Sequence, residues 1–171
     1  MGYEGLDTLL DAAARLPDNF AVLIVGDGAE RSALQESAHR CGLADRVHFV
    51  GMKPTEGIES WYRMLDVFVV PRRDEEVCRT VTPLKPLLAM SLGIPVVASD
   101  LPALREVTGG HAAYVPAGDA VALAAAIVEE GRNASGEPSI ERREDLQQWL
   151  AGRTWADCAK MLASVYRGPG N

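Results

Sequence analysis

At 171 residues, 47% of them hydrophobic, the chain can bury one sizeable core. Its net charge of -7, with basic residues dispersed among acids, argues against nucleic acid as a partner. No apolar run approaches the roughly 20 residues that span a bilayer and no secretory signal is visible. Cys41, Cys78 and Cys158 lie far apart, outside any metal-ligand spacing, and read as reduced thiols of a cytoplasmic protein.

In chain order, Leu6, Leu9, Leu10, Ala13 and Leu16 form a helical stripe that Pro17-Asp18-Asn19 ends. The run 20–25 (FAVLIV) predicts a continuous apolar strand, turned by Gly26-Asp27-Gly28 into a helix over 30–41. A second strand at 46–50 ends at Gly51, and a helix over 58–65 carries Trp61 and Tyr62. Residues 67–70 are a short β-branched strand closed by Pro71. The charged stretch 72–79 should lie in solvent or over a cleft. Thr82-Pro83-Leu84-Lys85-Pro86 then opens a helix with Pro86 best placed at its first position. Leu84, Leu87, Leu88 and Ser91 share one face of it, and Gly93 stops it. A strand at 94–98, a short helix over 101–107 and a strand at 112–115 follow. Asp119 caps an alanine-rich helix reaching about 130.

Apolar strands alternating with helices predict an α/β fold with a doubly wound, parallel, Rossmann-like sheet over 1–131. Residues 132–140 read as a linker rich in Gly, Pro, Ser and Asn, and 141–167 as a helical tail, about 141–150 and 154–166. A loop and helix start above parallel strands is where open α/β sheets bind phosphorylated ligands, which places the site on 67–100.

The segments GYEGLDTLLDAAARLP, VLIVGDGAERSAL, VHFVGMKP, WYRMLDVFVVPRRDEEVCR, VTPLKPLLAMSLGIPVVASDLPALREV and RTWADCAKMLASVYR occur in an order that resembles the carboxyl-terminal half of group 1 (glycogen-synthase-like, retaining) glycosyltransferases. The resemblance runs from Gly2 to Arg167 and implies the GT-B architecture, in which this half holds the sugar nucleotide. It implies that Gly26 and Gly28 leave backbone room for the nucleotide, although Gly-Asp-Gly also reads as a plain turn. Gly51 and Met52 match the segment flanking the base, and Gly51 equally reads as a strand terminator. From Thr82 to Leu88, the free amides of Leu84, Lys85, Leu87 and Leu88 would meet the diphosphate. Arg79 and Lys85 would add charge-assisted bonds, or stand as solvated loop charges.

Three departures from the resembled pattern weaken the donor site. The second Glu of the family's Glu-x7-Glu signature, a ribose partner, falls at Leu88 and the first at Thr80. The phosphate-binding Lys falls at Glu4, which would repel a diphosphate. The family's strand ahead of Gly2, central in its sheet, is also missing. Its absence predicts either direct pairing of 20–25 with 66–70 or self-association. The resulting expectation is the donor-binding half of a transferase using a UDP-, GDP- or ADP-linked sugar, inactive without an amino-terminal acceptor domain. No cofactor or metal is implied. The alternative is a non-catalytic Rossmann-like assembly or vestigial module.

Overall fold

The computed structural model describes residues 2–134 and 140–153, together with positions 156, 157, 159, 160 and 163. Most of the helix expected over 154–166 lies outside the described residues. The chain divides into two compact units, 1–137 and 138–171. Among the described residues the second holds a helix, α8 (Ile140–Ala151).

In the first unit the five apolar runs become β1 (Val22–Val25), β2 (Val47–Gly51), β3 (Phe68–Val70), β4 (Val96–Ser99) and β5 (Ala113–Val115). The helices are α1 (Leu6–Ala13), α2 (Arg31–Arg40), α3 (Ile58–Tyr62), α4 (Glu76–Thr80), α5 (Lys85–Ser91), α6 (Pro102–Thr108) and α7 (Ala120–Ala134). Every strand pair is parallel: β1 with β2, β3 with β4, and β4 with β5. The α/β class and the parallel sheet are therefore as expected. Asp119 caps α7 as expected, its Oδ1 accepting from the amides of Val121 (3.0 Å) and Ala122 (2.9 Å).

The sheet is in two pieces, in the orders β1-β2 and β3-β4-β5. Direct pairing of 20–25 with 66–70 does not occur. Instead α1 bridges the pieces with two faces. Leu9, Ala12 and Leu16 pack into a core with Val97, Val115, Leu123 and Ile127. Leu10 and Ala13 pack with Ala38, Leu43 and Val47 over the other piece. Leu10 is 2% exposed, and burying a leucine this fully contributes about 1.5–3 kcal/mol. Arg46 fastens the turn after α1, donating to the carbonyls of Leu16 (3.0 Å), Pro17 (2.9 Å) and Phe20 (3.1 Å).

Two local expectations are corrected. The stretch 72–79 is not simply a solvent loop: it contains α4, whose Cys78 is fully buried, and Arg72 is buried as well. Helix α5 begins at Lys85 with Leu84 as its N-cap, so Pro86 takes the second helical position. Its buried face is Pro86, Ala89 and Met90. Leu84 is 64% exposed and Ser91 is exposed, so the face they share with Leu88 is not the core face.

Candidate functional site

The nine residues singled out from sequence fall into groups above the two sheet pieces. Above the first, the Gly26 amide donates to the Gly51 carbonyl at 3.0 Å, which ties the loops after β1 and β2 together. Asp27 accepts from the Gly28 amide (2.8 Å) and pairs with Arg31 (3.2 Å). Arg31 also donates to the Phe49 carbonyl at 3.2 Å. Its guanidinium lies so near Gly51 that a Cβ there would come within 3.1 Å of Nη1. Met52 is exposed beside this group.

Above the second piece lie Thr82, Leu84, Lys85 and Leu88. Leu84, Lys85 and Leu88 line a cavity of about 1090 Å³ that continues down between β1 and β3. Lys85 is exposed and makes no ion pair among the described residues, so its ammonium is available to an anion. Thr82 Oγ1 lies 3.5 Å from Glu106 Oε2. Arg79 stands apart from the cavity lining, paired through both guanidinium branches with Asp74, one contact at 2.7 Å. That hydrogen-bonded pairing raises the Arg79 pKa and lowers that of Asp74.

Between the two groups sits the start of the chain, a 3-10 turn at Gly2–Glu4. Glu4 lines the cavity and its carboxylate pairs with Arg72 at 3.3 Å. Arg72 also donates to the Val81 carbonyl at 3.0 Å. The Tyr3 carbonyl accepts from the Arg73 amide at 2.9 Å and lies 3.5 Å from the Cys78 thiol. Burial pushes that thiol up from its ordinary value. The negative charge of Glu4 is therefore balanced by a neighbouring guanidinium rather than bare beside the cavity. Sequence reasoning singled out neither Arg72 nor Arg31. The available signal for Arg72 was its place directly after the strand-closing Pro71.

Parallel strands alternating with helices, with loops and a helix start at the strands' carboxyl ends, define a Rossmann-like α/β domain. Residues 1–130 match the family described as Glycosyl transferases group 1, and the chain belongs to that family. It is 48% identical over 117 residues to the lipopolysaccharide core biosynthesis mannosyltransferase LpsB of Rhizobium meliloti, covering 63% of this chain and 31% of that protein. It is 31% identical to the GDP-mannose-dependent alpha-(1-6)-phosphatidylinositol monomannoside mannosyltransferase of Mycobacterium tuberculosis, covering 98% of this chain and 44% of the relative. Among solved structures it is similar to sucrose-phosphate synthase from Thermosynechococcus elongatus. The TM-score is 0.77 and the identity 29%, over 98% of this chain and 42% of that one. The chain thus spans less than half the length of these relatives. Among the described residues, no helix is long and apolar enough to cross a membrane.

Proposed function

We propose that this chain is the sugar-nucleotide-binding half of a group 1 glycosyltransferase. The observation that carries the reading is that Leu84, Lys85 and Leu88, from the loop and helix start that follow β3, line the same cavity. In the reaction the bond between the anomeric carbon and the diphosphate breaks. The acceptor oxygen bonds to that carbon with retained stereochemistry, and its proton leaves with the diphosphate. Lys85 would stabilise the charge that develops on the departing diphosphate. Helix α5 is only seven residues long, so its dipole is short and the Lys85 ammonium carries most of the charge complementarity. The loops tied by the Gly26–Gly51 hydrogen bond would flank the base. The acceptor would be held by a separate amino-terminal domain, without which this half binds donor but does not turn over. The GDP-mannose dependence named for the mycobacterial relative supports a nucleotide sugar as the ligand.

Calorimetric titration of the chain with UDP, GDP, ADP and their sugars tests this reading. Binding of one nucleotide that Lys85→Ala weakens about tenfold is the expected result, since a hydrogen bond to a charged group is worth about 1.5–3 kcal/mol. No binding of any nucleotide would leave the non-catalytic assembly module as the better account. Leu88 at a position where the family signature has a carboxylate favours that second reading.

A further inference from the structure

Arg72 is buried just beyond β3 and lines the cavity, as do Glu4 and Lys85. A guanidinium has five N–H donors and no acceptor. The Arg72 Nε and one N–H of Nη2 meet the two carboxylate oxygens of Glu4 at 3.4 and 3.3 Å. One N–H of Nη1 meets the Val81 carbonyl at 3.0 Å. One N–H on each terminal nitrogen is left without a partner among the described residues. Buried polar groups are normally satisfied, so two unmet donors on a cation in a cavity wall mark a place for an anion.

The two anchors of Arg72 are unequal. Val81 holds the guanidinium to the loop that leads into Lys85. Glu4 holds it through contacts longer than the about 2.7–2.9 Å of a tight charge-assisted bond. The Glu4 side chain is 40% exposed and can turn into solvent with its backbone in place. That backbone is fixed separately. The Tyr3 carbonyl accepts from the Arg73 amide at 2.9 Å, and the Gly5 amide donates to the Gly2 carbonyl at 3.2 Å. Glu4 thus offers Arg72 the two-oxygen face that a phosphate also offers, on a side chain free to leave.

We propose that Arg72 is an anion-binding residue of the cavity, and that the Glu4 carboxylate is its resting partner, displaced by a phosphate of the ligand. Val81 keeps one N–H of the five, and the other four become available to phosphate oxygens. Lys85, exposed and without an ion pair among the described residues, is a second cation on the same lining. Every anion must displace Glu4, so the pair selects against weakly charged groups and for those with several oxygens and more than one charge. That this anion is a diphosphate rests on the donor-binding reading above. The anion-binding role of Arg72 rests on its own contacts.

Calorimetric titration with inorganic pyrophosphate, and separately with UDP, GDP and ADP, tests this on the 171-residue chain and on four variants. These are Glu4→Gln, Glu4→Gln with Arg72→Gln, Lys85→Ala and Asp11→Asn. Asp11 is exposed on α1 and outside the cavity lining, so Asp11→Asn makes the same charge change elsewhere. Glu4→Gln should raise pyrophosphate affinity about fivefold or more, since a partly exposed ion pair no longer has to be displaced. Asp11→Asn should leave it unchanged. The double variant, whose two amides can still hydrogen-bond, should fall below the unmutated chain. Its melting temperature separates lost binding from lost fold, and the two single acid variants decide the matter if it does not fold. No gain in Glu4→Gln, an equal gain in Asp11→Asn, or a gain that survives in a folded double variant overturns the proposal. Nucleotide binding that Lys85→Ala weakens and Glu4→Gln leaves unchanged overturns this proposal alone. Pyrophosphate binding with the expected dependences, and no binding of any nucleotide, supports it and overturns the donor-binding reading. No binding of any probe to any variant overturns both.

Discussion

The Glu4 carboxylate lies 3.3 Å from the Arg72 guanidinium, joining the first turn of the chain to the residue just beyond β3 and Pro71. The Arg72 side chain is 10% exposed and that of Glu4 40%. Because Glu4 is more than a third exposed, solvent screening reduces the pair's worth. Glu4→Lys removes the partner and sets two cations together, and should cost about 1–2 kcal/mol. Glu4→Gln, which keeps an acceptor, should cost less. Urea midpoints on both variants check this, and an unchanged midpoint for Glu4→Lys would remove the pair from any structural role.

Gly5 separates that turn from α1 at φ 69°, and a Cβ there would sit 1.8 Å from the Pro71 carbonyl oxygen. Gly57 has a comparable φ of 81° with nothing within 4 Å. The left-handed conformation alone costs a side chain about 1–2 kcal/mol. Gly57→Ala should lose about that much. Gly5→Ala adds a backbone clash, and should lose several kcal/mol or fail to fold. Equal losses in equilibrium unfolding would show that Gly5 is not in van der Waals contact with the strand end.

Leu88 lines the cavity and is only partly buried, while the core side of α5 is Pro86, Ala89 and Met90. Leu88→Glu therefore aims a carboxylate at the cavity rather than into the core. Stability should fall by less than about 1 kcal/mol, within the range of changes away from the core. If the cavity mouth holds ribose hydroxyls, nucleoside diphosphate affinity should rise about tenfold or more. A mutant with a markedly lower melting temperature and no gain in nucleotide affinity would count against both halves of this statement.

Asp100 accepts from Arg105 (Nη2 at 2.9 Å), whose guanidinium also stacks 4.2 Å from the Tyr114 ring centroid. The hydrogen bond and charge of Arg105 hold the Asp100 carboxyl below its ordinary value, against a smaller opposing effect of burial. A carboxyl depressed in the folded state stabilises it above the unfolded pKa of about 3.9. That contribution fades as pH falls through the lower, folded value. Asp74, paired with Arg79, behaves in the same direction. Carboxyl NMR titration should show both groups ionised at pH values where free aspartate is half protonated. Arg105→Met should return Asp100 alone to the ordinary range. An ordinary Asp100 titration in the unmutated chain would contradict the pairing.

The strands, their parallel arrangement and most helices were legible because each depends on local pattern. Runs such as 20–25 and 94–98 are apolar throughout, which only a strand covered on both faces accommodates. Asp119 announced its helix because a cap acts within three residues. What the tertiary structure alone decided depends on residues far apart in sequence. Leu84, Leu88 and Ser91 share a helical face by spacing, but only packing makes Ala89 and Met90 the buried side. Glu4 reads as a repelling charge until Arg72, 68 residues later, is found beside it. The charges of 72–79 suggest solvent, yet Arg72 is buried by bonds to Glu4 and Val81, and Cys78 by packing. Apolar pattern gives β1 and β3 the same character as β4. Whether a strand has neighbours on both edges is a matter of topology, and no periodicity within the strand records it.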